Sequence, residues 1–104
     1  MANKLYLARG INVDDFHTKM REKYPGAEVE GVGVGTAEIG GVLYDIGGVA
    51  VIASSSNSET VSVRVVTKTV DEVGRMKRDL STKIGVELIP DRDGRRYERF
   101  RRMR

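Results

Sequence analysis

Between Val42 and Thr69 the chain carries three apolar, β-branched runs separated by two polar breaks, a pattern that predicts an antiparallel meander. The first break is Gly47-Gly48, a pair suited to a two-residue hairpin because both central residues of a type I′ turn need positive φ. The second is the polar knot from Ser54 to Glu59, whose serines read as an exposed turn. Beyond it Val61, Val63 and Val65 alternate with Ser62 and Arg64, and Lys68 continues the polar side. A period of two marks a strand with one buried and one wet face.

A helical period flanks the meander on both sides. Val13, Phe16, Met20 and Tyr24 are spaced 3, 4 and 4 residues apart, as are Val73, Met76, Leu80 and Ile84, so each set forms one apolar stripe. The first helix is predicted to start at an Asn12 N-cap, with Asp14 and Asp15 on the positive end of its dipole and Ile11 and Phe16 as a hydrophobic staple. Pro25-Gly26 stops it. The second opens on a Thr69–Glu72 capping box and closes at Gly85. His17 and Lys77 lie at the edges of the stripes. His17 is either a general base or a flanking, half-buried ring; Lys77 lays its stem over the core.

Two short strands complete the order, Lys4 to Arg9 before the first helix and Val86 to Ile89 after the second. The stretch from Ala27 to Gly41 is glycine-rich, with Gly31, Gly33 and Gly35 on alternate positions. It lacks the following helix that a phosphate-cradling loop requires. A glycine-faced strand on which a helix packs, or a loop, is the expectation. Pro90 to Gly94 forms a turn, and its Asp-x-Asp-Gly fragment lacks the spaced glutamate of a calcium loop. Residues 95–104 then return as a hairpin strand or form a short helix with Tyr97, Phe100 and Met103 on one side.

Two helical stripes and one sheet predict an α+β fold of two layers, an antiparallel β-sheet with two α-helices on one face. At 104 residues the chain is expected to form one domain: residues 1–90 make the α+β unit, and residues 91–104 its Arg-rich C-terminal turn and hairpin strand or short helix. No run approaches the roughly 18 apolar residues of a spanning helix, and the N-terminus shows no cleavable apolar segment, so a cytoplasmic protein is expected. Cysteine is absent and His17 is the single histidine, so neither thiolate chemistry nor a multi-histidine metal site is available within one chain; no metal or cofactor is expected. The absence of Gln, Cys and Trp and an excess of Arg over Lys are consistent with a thermophilic source.

Charge is unevenly placed. The chain carries a net +3, yet residues 91–104 hold seven arginines against Asp91, Asp93 and Glu98, which alone gives +4.

From about residue 39 to 85 the layout resembles one half-repeat of the TATA-box-binding protein fold: a strand over 39–46, its hairpin partner over 49–55, a third strand, then a long helix. The resemblance implies a curved sheet whose open face meets nucleic acid or another protein. The family's wedge phenylalanines have no counterpart, because Ala53 and the serines after it stand near their places and Phe16 and Phe100 lie off the meander; DNA kinking is not carried over. A ferredoxin-like sheet is the competing arrangement.

Two functions compete, neither of them enzymatic. The first is non-specific binding of DNA or RNA, with Arg64, Lys68, Arg95, Arg96, Arg99, Arg101 and Arg102 as phosphate forks and Tyr97 and Phe100 as stacking planes. The second is self-association into a homo-oligomer through the apolar part of the open face, around Ala50, Ile52 and Val66, with no nucleic acid bound.

Overall fold

The chemistry of the helix ends positions both helices. Asn12, in extended backbone, accepts a hydrogen bond from the Asp15 amide at 2.8 Å, so α1 (Val13–Lys23) begins where one of its orphan amides is satisfied. Ile11 and Phe16 are both buried, as a staple requires. At the start of α2 (Val70–Ile84) the Thr69 hydroxyl accepts from the Glu72 amide at 3.3 Å. Gly85 ends it in the left-handed conformation, φ 79°.

The structure, a computed structural model, describes residues 1–34 and 39–91. Its strands are β1 (Ala2–Arg9), β2 (Glu28–Val34), β3 (Ile39–Ile46), β4 (Val49–Asn57), β5 (Thr60–Thr67) and β6 (Leu88–Pro90). They form one antiparallel sheet in the order β2-β3-β4-β5-β1-β6. The meander is β3–β4–β5, and its first turn places Gly47 at φ 59° and Gly48 at φ 87°, both positive as the hairpin demands.

One face of this sheet carries the core. Tyr6 and Ala8 of β1, Val51 and Ala53 of β4, and Val61, Val63 and Val65 of β5 are buried on one side. Against them pack Phe16 and Met20 of α1 and Val73, Met76, Leu80 and Ile84 of α2. The fold is therefore α+β in two layers, both helices on one side.

Several expectations need correction. Ser54 is not in a turn: β4 runs on to Asn57, and Ser54 pairs with Ser62 and is only 8% exposed. Pairing with β5 satisfies the backbone there, so a polar composition did not end the strand. The reversal is confined to Ser58-Glu59, where the Glu59 amide donates to the Asn57 side chain at 2.9 Å. The sixth strand is Leu88–Pro90 rather than Val86 to Ile89, since it pairs only where it meets Tyr6, Leu7 and Ala8. The stretch at 28–34 is a strand, but no helix rests on Gly31: a methyl group there would meet nothing within 4 Å. Two helices about 10 Å wide roof roughly 20 Å, and six strands about 4.8 Å apart are wider than that. The roof sits over β5 and its neighbours, leaving Val29 of β2 55% exposed. The expected turn after Pro90 and the hairpin strand or helix beyond it lie outside the described residues, as does Gly35.

Candidate functional site

The face of the sheet turned away from the helices is assembled by alternation and register together. In β4 and β5 the even positions face this side, because the odd ones fill the core. Register then sets them in rows across the strands. Leu43, Ile52, Arg64 and Leu5 form the central row. Asp45, Ala50, Val66 and Asn3 lie on one side of it; Gly41, Ser54, Ser62, Leu7 and Ile89 on the other. Leu5, Leu7, Leu43, Ala50, Ile52 and Val66 are each half-buried with no helix above them, and Ile89 is exposed. Ala50, Ile52 and Val66 therefore share one surface, as the alternation predicts, and β1 adds Leu5 and Leu7, which sequence spacing alone does not bring beside them.

Arg64 stands in the middle of this apolar band. Its guanidinium donates to the Asn3 side-chain oxygen at 2.7 Å, and the residue is half-buried rather than solvent-directed, its stem lying among apolar neighbours. Lys68 is exposed but falls just beyond the end of β5, about 13 Å along the strand from Arg64 at roughly 3.3 Å per residue. The two cations do not form a joint patch. Arg95, Arg96, Tyr97, Arg99, Phe100, Arg101 and Arg102 lie outside the described residues.

Negative charge gathers at the other end of the same face. Glu28 pairs directly with Asp45 and Glu30 with Leu43, and all three acids are exposed. No described aromatic ring faces this side: Tyr6, Tyr24, Tyr44 and Phe16 are all buried in the core. Among the described residues no group of three or more His, Asp or Glu is placed to hold a metal ion, and no helix is long and apolar enough to cross a membrane.

On the helix side, His17 of α1 meets Tyr44 of β3, with Nδ1 2.5 Å from the hydroxyl and ring centroids 5.8 Å apart. Burial lowers the His17 pKa, Arg21 lowers it further and Asp14 opposes them. Burial raises that of Tyr44. A neutral imidazole and a protonated phenol result, so the phenol has an acceptor in Nδ1. With Tyr44 only 1% exposed, the pair serves to pin α1 onto the sheet. A general base is the less economical use of it, because the phenol already occupies Nδ1.

A further feature escaped the sequence. The flank of α2 beside the Gly85–Glu87 loop forms an open groove of about 530 Å³, lined among others by Lys77, Arg78, Ser81 and Glu87. Ser81 Oγ is buried without a hydrogen-bond partner. Helical spacing puts Lys77, Arg78 and Ser81 on one flank, yet only the folded loop closes a wall opposite them.

No protein-family model, no curated protein and no solved structure matches this chain.

Proposed function

We propose that this protein is a non-catalytic interaction module that self-associates through the open face of its sheet. The observation that carries the proposal is the apolar band across that face, from Leu43 and Ile52 through Val66 to Leu5 and Leu7. A soluble sheet roofed on one side exposes such a band at a cost, and a second apolar surface removes it from water at about 25 cal/mol per Å². The charge pattern suits a second copy. Carboxylates lie at the β2 end, and the excess positive charge belongs to residues 91–104, which follow β6 in the sequence. A two-fold axis parallel to the strands sets each acidic end over the other copy's β6 end, away from its carboxylates.

Sedimentation velocity over a range of concentrations tests this. A dimer is expected, and Val66→Lys, which adds a charge two residues from Arg64 on the same face, is expected to return the chain to a monomer with its circular dichroism unchanged. A wild-type monomer at all concentrations sinks the proposal.

Nucleic-acid binding is the second function, favoured by the seven arginines among residues 91–104. Among the described residues the open face supplies two arginines, Arg64 and, at the end of β1, Arg9, and no aromatic ring for stacking, which is why it ranks second. Duplex and single-stranded DNA and RNA, titrated at two salt concentrations, decide it. Phosphate contacts predict binding that falls steeply with salt.

A further inference from the structure

The two edges of the sheet are not alike. At one edge β6 has three residues and ends in Pro90, which has no amide hydrogen to offer a further strand. At the other edge β2 has seven residues, pairs with β3 without a bulge from Glu28 to Val34, and contains neither proline nor lysine. Among the described residues no strand pairs with its outer side. Half of its amides and carbonyls point outward along a straight ladder, and natural sheets seldom leave so long an edge without a blocking device. Among the described side chains of β2, only the charges of Glu28 and Glu30 meet an incoming strand. Gly31 has open space where a Cβ would sit, and Val29 on the helix side is exposed beyond the roof.

We infer that the outer edge of β2 accepts an added strand, and that the strand is the Arg-rich C-terminal segment, residues 95–104, of a second copy. Main-chain hydrogen bonds supply the affinity and the exposed side chains of β2 choose the occupant. Glu28 and Glu30 stand on alternate positions of one face, backed by Asp45 across the ladder. A strand opposite them carries cations at alternate positions with advantage, since opposite charges across strands attract and like charges repel. In residues 95–104 Arg99 and Arg101 alternate in this way, as do Arg102 and Arg104. A second β2 in the same place brings two more glutamates and no cation. The segment follows β6 in the sequence, and β6 is the edge opposite β2, so the contact joins unlike surfaces and is open-ended, adding copies in a row. It is distinct from the face-to-face contact proposed above and stands without it.

A fluorescent synthetic peptide of residues 91–104, titrated into the full-length protein, tests the inference. Saturable binding is expected, weakened about tenfold or more when salt rises from about 50 mM to about 500 mM. Glu28→Lys/Glu30→Lys, exposed positions whose replacement leaves the melting curve in place, is expected to abolish it. A peptide N-methylated at alternate residues along one edge keeps every charge and loses the strand's hydrogen bonds, and it too is expected to fail. Val66→Lys, which breaks only the face contact, is expected to bind the peptide as wild type does. No binding at low salt, equal binding by Glu28→Lys/Glu30→Lys, or equal binding of the N-methylated peptide each overturns the inference.

Discussion

The Tyr24 hydroxyl donates to the Asp79 carboxylate at 2.6 Å, joining the end of α1 to the middle of α2 across 55 residues of sequence. Lys83 completes the cluster, its ammonium 3.4 Å from the same carboxylate oxygen and 4.6 Å above the Tyr24 ring. This is a polar lock between the two helices, beside the Lys19 ammonium, which donates to the Ile84 carbonyl at 3.2 Å.

Tyr24→Phe keeps the ring and removes the donor, and is expected to cost about 1 kcal/mol, the usual net worth of one hydrogen bond at a partly solvated site. Burial first, and Asp79 second, raise the Tyr24 pKa far above its ordinary 10.0. A group whose pKa is raised on folding contributes stability that is whole below the unfolded value and is lost as pH rises through the folded one. Wild-type stability is therefore expected to decline above about pH 10, and Tyr24→Phe to show a shallower decline. Urea titrations at a series of alkaline pH values check both.

His17 works in the other direction. Its folded pKa lies below the ordinary 6.5, because burial and then Arg21 disfavour the cation more than Asp14 favours it. The unfolded chain binds the proton more readily, so stability is full above about pH 6.5 and falls as pH drops through the folded value. Tyr44, facing it from β3, loses its acceptor when the ring charges. Thermal melts between about pH 5 and pH 7.5 are expected to show a falling midpoint, and His17→Asn to flatten the dependence. An unchanged slope in that variant removes His17 as the source.

Ser81 is the one described side chain with a buried polar atom and no partner. Burying an unpaired hydroxyl costs more than the small volume it fills contributes, and alanine is the better helix former. Ser81→Ala is expected to stabilise the fold by roughly 0.5–1 kcal/mol, a rise of a few degrees in melting temperature. A loss of stability on that substitution shows that the hydroxyl has a partner in solution.

How much of this was legible in the chain depends on the range of the interaction. The caps at Asn12, Thr69 and Gly85 and the Gly47-Gly48 turn act within four residues, and each is where local chemistry placed it. Alternation assigned Val61, Val63 and Val65 to the core and Ile52 and Val66 to the other face. Composition misled at Ser54, where pairing with Ser62 extended a strand through residues that favour turns. Arg64 is the instructive position in the candidate site. Its placement on the open face follows from period two, but its tie to Asn3, 61 residues away, follows only from β1 lying beside β5.

Taken alone, the order of residues determined which segments are helices and strands, where most of them stop and which of their faces is apolar, because those are properties of neighbours one to four places apart. Folding in three dimensions decided the strand order, the width of the helical roof relative to the sheet, the edge of β2 that no described strand pairs with and the pairing of Tyr24 with Asp79. Those depend on which elements pack together, a choice made by burial summed over the whole chain and carried by no single stretch of it.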